Sequence, residues 1–396
     1  MSATRLTTGS SPAFTFVLTM GIVNLFGDMT YEGGGAINGQ FMASLGASAA
    51  IVSITAGVGE FLGYALRSVS GYIADRTGRY WLVTFIGYAI NLFAVPAMAL
   101  AGNWQIAALL ILAERIGRAL RKPTVEAMLS YTTGKHGRGW VYGVNTALDE
   151  TGATLGPLII ALVLFFRGDY RSGYALLLIS SVLALGALIV ARINFPVPER
   201  LEEGRTAPAR ELGRSYWLYM VAAACFAAGL MSYELIAYHL ATAKIVTENW
   251  IPVFLAFSTG CGVIASLVLG KLYDRARLPT LLSAVFLSAF FTPFAFLGNY
   301  AAILFGMVLL GIGYATQDTL LKAVVANVLP EGKRNLAFGL FYAGYGVGWL
   351  IGSTATGLLY DQSRSALIAF AVAAQLGSLP LFVIAKRHEP RSHEAA

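Results

Sequence analysis

Long apolar stretches separated by short polar connections set the pattern of this chain. A helix needs about 20 apolar residues to cross a bilayer core. Stretches of that kind recur at 14–34, 48–74, 81–101, 104–130, 139–166, 173–195, 216–240, 249–270, 279–298, 300–328, 334–359 and 365–386. They are too long for strands and lack the period-two alternation of a membrane barrel. The pattern predicts an all-α integral membrane protein of twelve transmembrane helices. The first run is long and leads into Asp28 and Glu32, so it reads as helix 1 of the mature chain rather than a cleavable leader.

Composition narrows the class. Of 396 residues, 57% are hydrophobic and 12% charged, against about 25% charged in a soluble domain. The mean hydropathy is +0.65. A soluble globular protein and a disordered chain are both excluded. Two cysteines, Cys225 and Cys261, are too few for a disulfide framework or a Cys-rich metal site. The net charge of +7 is explained by where Lys and Arg fall. With the N-terminus inside, the inner connections carry Arg76, Arg79, Lys135, Arg138, Lys271, Arg275, Arg277, Lys333 and Arg334, and the linker and tails add more. The outer connections carry only Arg167, Arg171, Lys244 and Arg364. This asymmetry places both termini in the cytoplasm, and the expected location is the inner (plasma) membrane. The basic charge orients the chain in a lipid bilayer, and no nucleic-acid partner is expected.

The segment from Phe195 to Ser215 is the one long polar stretch, and it divides the helices six and six. The expected organisation is an N-terminal bundle over 1–195, a cytoplasmic linker over 196–215 and a C-terminal bundle over 216–396. A short amphipathic helix is expected within the linker, around Glu202 to Leu212. The halves repeat. An offset of 196 places Gly117 on Gly313, Ala127 on Ala323, Arg138 on Arg334, Gly143 on Gly339, Gly152 on Gly348 and Gly156 on Gly352. A second echo sets Gly71 to Arg76 (GYIADR) against Gly270 to Arg275 (GKLYDR). Tandem six-helix repeats around a central site are a transporter architecture.

The run from Gly71 to Trp81, GYIADRTGRYW, resembles the loop 2–3 signature of the major facilitator superfamily. A degenerate copy from Gly270 lies in loop 8–9 and lacks the final Gly-Arg. The resemblance spans essentially the whole chain and implies two pseudo-symmetric six-helix bundles. Gly143, Gly152 and Gly156-Pro157 resemble the helix 5 signature of proton-coupled antiporters, with Leu158 and Ile159 replacing its second glycine pair. Glu114 to Leu129 is similar to the Arg- and Gly-rich helix 4 of proton-coupled members.

The resemblance implies gating roles for Gly71, Asp75, Arg76, Gly78, Arg79, Glu126, Asp274 and Arg275. Asp75 would face the N-terminal end of helix 11 near Arg334, and Arg79 would pair with Glu126. These contacts would favour an outward-open state. A turn with positive-inside anchoring is the simpler alternative. Gly143, Gly152, Gly156 and Pro157 form a close-packing face on helix 5.

Charged residues at bilayer depth are costly and tend to line a cavity. Here they are Asp28, Glu32, Glu60, Arg67, Glu114, Arg115, Arg118, Arg121, Lys122, Asp149, Glu150, Glu234, His239, Asp318 and Lys322. Depth along the helices allows an Asp28–Arg115 pair, and Arg118 with Asp149 or Glu114. Glu60 and Arg67 suit a structural interhelix pair. Arg121 and Lys122 either join the path or snorkel to the inner interface. Glu32 and His239 lie either in the path or at the outer rim. Asp28, Glu32, Asp149 and Glu234 are the candidate proton-coupling acids. Arg115, Arg118, Tyr31, Tyr233, Asp318 and Lys322 are the candidate solute-binding residues. Tyr64, Tyr142, Tyr238, Tyr314, Phe338, Tyr342, Tyr345 and Trp349 supply either site walls or ordinary packing.

The leading expectation is a secondary transporter that exports a small molecule by proton antiport through alternating access. An organic-anion symporter or exchanger using the helix 4 arginines is the alternative. A metal or metal-chelate carrier using Asp28, Glu32 and His239 is a third. The chain lacks the P-loop pattern of Gly, four residues, Gly-Lys-Ser/Thr, and it offers no paired catalytic base, so an enzyme is not expected. No cofactor or resident metal is called for, and a monomer can hold the complete path.

Overall fold

The computed structural model describes residues 12–130, 138–196, 213–324 and 334–389. Among the described residues, twelve helical segments run back and forth: α1 Pro12–Ser44, α2 Ala49–Thr77, α3 Tyr80–Ala97, α4 Trp104–Ser130, α5 Arg138–Arg167, α6 Tyr170–Asn194, α7 in two pieces (Arg214–Gly229 and Tyr233–Thr242), α8 Ile251–Arg275, α9 in two pieces (Arg277–Ala289 and Phe291–Leu297), α10 Tyr300–Ala315, α11 Arg334–Gln362 and α12 Arg364–Arg387. Among the described residues, nine of these are long and apolar enough to cross a membrane. α4 falls below that threshold because Glu114, Arg115, Arg118, Arg121 and Lys122 lie along it. The expected linker helix near Glu202 lies outside the described residues.

Four elements depart from the uninterrupted spans expected above. α1 continues ten residues past 34, to Ser44, which puts Asp28 at its midpoint. α9 breaks where Pro293, lacking an N–H, would clash with the carbonyl four residues earlier. α7 breaks at Leu230–Ser232 with no proline, and Leu230 is extended (φ −86°, ψ 117°). The break sets Glu234 in the first turn of the second piece, where unpaired backbone N–H groups favour a negative charge. α10 runs into a π-turn over Thr316–Leu321, a feature often found where function bends a helix.

Glycine carries the closest packing. A Cβ on Gly152 would lie 2.1 Å from the Leu25 carbonyl oxygen of α1, and one on Gly156 2.3 Å from that of Met29. The equivalents in the last six helices, Gly348 and Gly352, would put a Cβ 2.1 Å from the carbonyl oxygens of Ala224 and Ala228 on α7. The α1–α5 and α7–α11 interfaces are therefore the same interface, repeated. Gly143 belongs to the described backbone, but its surroundings do not. Gly78 ends α2 in the left-handed region (φ 63°), and its N–H reaches the Ala74 carbonyl. This accounts for a glycine two residues after the Asp75-Arg76 pair.

The first six helices meet the last six along one end of the bundle. The chain termini lie on one face, and the contacts cluster toward the other, called here the far face. α2 packs along α11, α1 against the second piece of α7, and α5 against α8. Ser53 donates to the Ser353 carbonyl at 2.6 Å. Gly57 lies against Ser353, Gly357 against Ala50 and Ser53, and Gly346 against Phe61 and Tyr64. Gly39 of α1 fits so tightly that an added Cβ would clash with the Glu234 carbonyl oxygen. Toward the termini the pattern changes. Gly71 touches Pro123 of its own bundle, and Tyr72 and Ile73 are exposed. Among the described residues, the far face is closed and the interior opens toward the termini.

Gly152→Ala and Gly348→Ala are each expected to destabilise the protein by about 1–3 kcal/mol through overpacking. Gly186→Ala, where a Cβ meets nothing within 4 Å, is expected to be neutral or stabilising. Thermal melting in detergent checks all three.

Candidate functional site

α4 carries a ladder of arginines through the interior, and each rung has a different partner. The Arg115 guanidinium is shared by three carboxylates: Glu60 of α2 at 3.0 Å, its neighbour Glu114 at 3.3 Å and Glu234 of α7 at 3.0 Å. Arg118 reaches Glu60 at 3.0 Å and Glu114 at 4.0 Å. Arg121 reaches Asp28 of α1 at 3.5 Å and donates to the Tyr88 hydroxyl at 3.2 Å. Tyr31 lies between two rungs, with Arg118 over its ring at 4.8 Å and Arg121 at 5.7 Å.

These placements revise the expected pairs. Asp28 meets Arg121, not Arg115. The two arginines are six residues apart, which at 100° per residue turns them about 120° away from each other on α4. Matching depth along the axis does not bring a side chain to the right face. Arg121 does not snorkel: it is 4% exposed and lies over the Tyr88 ring at 4.5 Å. Glu60 does not pair with Arg67, because Arg115 and Arg118 both point at it.

Neutral polar groups extend the network. Tyr88 donates to Asn24 Oδ1 at 2.5 Å, and Asn24 donates to Asn145 Oδ1 at 2.9 Å. Asn145 reaches Asp149 Oδ2 at 3.4 Å. Asn91 donates to Glu114 Oε1 at 2.8 Å. At the π-turn, Gln317 donates to the Tyr64 hydroxyl at 2.8 Å and accepts from Tyr345 at 2.9 Å, so one α10 side chain ties α2 to α11. Sequence reasoning missed Gln317, Asn24, Tyr88, Asn91 and Asn145 because it screened for charge. The usable signal was an uncharged polar residue in an apolar run.

Other expected site residues sort by place. Asp318 and Lys322 form an i,i+4 pair at 3.4 Å with side chains 59% and 49% exposed. They follow Gln317, whose side chain reaches the Tyr64 hydroxyl of the first bundle at 2.8 Å, so the pair lies beside the junction of the two bundles. Glu32, Asp149 and Glu150 are half-buried. Among the described residues none of the three has a cation within 4 Å, and Asp149 Oδ1 is buried with no partner. Tyr233 is buried and donates its hydroxyl to the Ile251 carbonyl, holding α7 to α8. His239 is fully buried rather than at the rim: Nδ1 faces the Tyr360 hydroxyl at 2.9 Å, and the ring lies on Phe296 at 4.9 Å. Among the described residues no group of three His, Cys, Asp or Glu could hold a metal ion.

The gating set is spread along the termini face. Arg79 and Glu126 are both exposed and do not pair with each other. Solvated long side chains gain little from such a contact. Arg76 donates to the Tyr72 hydroxyl at 3.2 Å, and Asp274 and Arg275 are exposed. The Asp75 side chain and the start of α11 near Arg334 lie outside the described side chains.

Removing a buried charge leaves its partners uncompensated. Arg115→Met, which strands Glu234 and leaves Glu60 and Glu114 to Arg118 alone, is expected to cost about 3–5 kcal/mol. Lys322→Met, from a half-exposed pair, is expected to cost under about 1 kcal/mol. Melting temperatures of the purified variants measure the difference.

The comparisons with known proteins agree with this architecture. The family model of the Major Facilitator Superfamily matches residues 13–258 and 247–396. An uncharacterized protein of Mycobacterium tuberculosis is 33% identical over 93% of this chain and 92% of its own length. Multidrug resistance protein MdtH of Photorhabdus laumondii is 23% identical over 90% of each. Crystal structures of the peptide transporter POT in complex with sulfate (TM-score 0.75, 15% identity, 95% of each chain) and of the nucleoside transporter NupG (TM-score 0.75, 11% identity, 93% of this chain and 99% of that one) share the fold. Twelve helices, repeated glycine interfaces and a charged interior open to one face thus belong to a member of the major facilitator superfamily, a membrane transporter of a small molecule and not an enzyme.

Proposed function

We propose that this chain is a proton-coupled secondary transporter that works by alternating access, with 1–195 and 216–396 rocking about the interior site. The observation that carries this reading is the Arg115–Glu234 contact at 3.0 Å. Arg115 also holds Glu60 and Glu114 of its own bundle, so only the bond to Glu234 must break when the far face opens. Breaking it leaves both ions partnered or solvated, since water enters from the opening side. Both termini are proposed to lie in the cytoplasm of the inner membrane, so the open face is the cytoplasmic one. A monomer holds the whole path.

Protons are proposed to load on Asp149 and Glu32, which with Glu150 are the interior acids that have no cation within 4 Å among the described residues. Glu234 already has an arginine partner on the other bundle and is proposed to act as a switch that gains a proton as Arg115 leaves, while Asp28 keeps Arg121 of its own bundle and is proposed to exchange its proton in place. Export by proton antiport is the favoured mode. The helix 5 glycines and the relatives named for multidrug resistance support it. The arginines expected to serve an organic-anion symporter or exchanger, Arg115 and Arg118, are already paired with carboxylates, which counts against that alternative.

The test uses liposomes that hold the purified protein and a pH-sensitive dye. Solutes from an organic-anion and organic-cation panel should evoke a lumenal pH change in the wild type. Asp149→Asn should lose it, while Lys271→Gln, an exposed residue at the end of α8, should keep it. Solute movement with no proton movement in the wild type would sink the coupling.

A further inference from the structure

Four hydrogen bonds lead from Arg121 to Asp149 through three uncharged side chains. Arg121 Nη1 of α4 donates to the Tyr88 hydroxyl of α3 at 3.2 Å. Tyr88 donates to Asn24 Oδ1 of α1 at 2.5 Å. Asn24 Nδ2 donates to Asn145 Oδ1 of α5 at 2.9 Å, and Asn145 Nδ2 donates to Asp149 Oδ2 at 3.4 Å. The other terminal nitrogen of the guanidinium, Nη2, lies 3.5 Å from Asp28 Oδ1. Tyr88 is fully buried and Asn24 is 5% exposed, so the middle of the path is shielded from water. Asp149 Oδ1 is buried with no partner.

An ionised carboxylate can only accept a hydrogen bond, and a guanidinium can only donate. These two ends dictate the middle. Asn145 must turn its NH2 to Asp149 and its carbonyl to Asn24. Asn24 must then accept from Tyr88, whose oxygen is left to accept from Arg121. Aligned hydrogen bonds polarise one another, so the chain brings part of the guanidinium's pull to the carboxylate. A proton on Oδ2 would set donor against donor at Asn145, which leaves Oδ1 to take it. Each link lies within the first bundle, so the chain survives when the bundles rock. Asp28 of α1, Tyr88 of α3, Arg121 and Lys122 of α4, and the neighbouring Glu150 act electrostatically on Asp149. α6 and α8, which also pack on α5, carry charge only near their ends, at Arg171, Arg192, Lys271, Asp274 and Arg275.

We propose that Tyr88, Asn24 and Asn145 are positioning residues for proton coupling: they hold Asp149 Oδ2, direct its proton to Oδ1 and tie its charge to the Arg121–Asp28 pair. The proposal rests on the reading of Asp149 as a proton-loading acid. Asp28 competes for the same guanidinium, so an ionised Asp28 weakens the hold of the chain on an ionised Asp149. Ionisation of one acid thereby favours the proton on the other.

Infrared titration of the detergent-purified full chain reads the proton directly and needs no solute. The carboxylic-acid C=O band that titrates in the wild type and is missing in Asp149→Asn reports Asp149. Asn145→Leu removes a donor to the charged form and should move the midpoint of that band to higher pH by about one unit. Tyr88→Phe keeps the ring under Arg121 and removes only the hydroxyl, three links from Asp149. It should move the midpoint the same way by a smaller step. Thr84→Val deletes a buried α3–α4 hydrogen bond outside the chain (to Thr124 Oγ1, 2.7 Å) and should leave the midpoint in place, which separates the chain from general loosening. Unchanged midpoints in both Asn145→Leu and Tyr88→Phe would overturn the chain and leave Asp149 as a loading site. A shift in Asn145→Leu alone would also overturn it, by reducing it to one contact. A set of titrating bands that survives whole in Asp149→Asn would withdraw the loading reading, and the chain with it.

Discussion

One guanidinium shared between two bundles sets the terms for the rest of this structure. Arg115 is 9% exposed, and Glu114 and Glu234 are each 6% exposed. Burying these ions costs several kcal/mol apiece unless they stay paired. The pairing fixes α4 against α2, and through Glu234 it fixes the first bundle against the second. The break in α7 follows from the same constraint. It delivers Glu234 at a helix start, where the backbone favours its charge, and it lets Gly39 of α1 press against the carbonyl of that turn. The closed far face is thus organised around an ion pair that water can replace when the bundles part.

Rigid packing makes such a switch useful. The glycine contacts of α5 on α1 and of α11 on α7 hold each bundle as a body, so movement is confined to the surface between them. That surface is held by reversible contacts: Ser53 to the Ser353 carbonyl, Gln317 between Tyr64 and Tyr345, and Arg115 to Glu234. Most interior charge lies in the first bundle, while the second contributes Glu234, Asp318 and Lys322. Each of these three meets a charge on its partner bundle or lies beside the junction of the two. The chemistry is therefore asymmetric although the scaffold is repeated.

Much of the scaffold was legible in the sequence because it depends on one-dimensional pattern. Apolar length gave the spans, and the constant offset of 196 pointed to Gly152 with Gly348 and Gly156 with Gly352, which make equivalent contacts. The pairing of charges was not legible. Asp28 could be assigned a depth but not a direction, and direction decided between Arg115 and Arg121. The α7 break left no mark, since no proline lies within it and the break serves a tertiary contact. Gln317 was hidden for a related reason: a neutral amide matters only once the π-turn aims it between two tyrosines. The acids Glu32 and Asp149 were found as charges, but their lack of a cation needed coordinates.

The central claim is that the Arg115–Glu234 bond holds the far face closed. Spin labels at positions 102 and 299 report the separation of the bundles on that face, and labels at 77 and 277 report it on the termini face. Pulsed electron-electron distance measurements on Glu234→Gln should show a new, longer 102–299 distance and a shorter 77–277 distance relative to the unsubstituted background. Unchanged distributions at both pairs would contradict the account, since the bond would then be a passive contact rather than the latch.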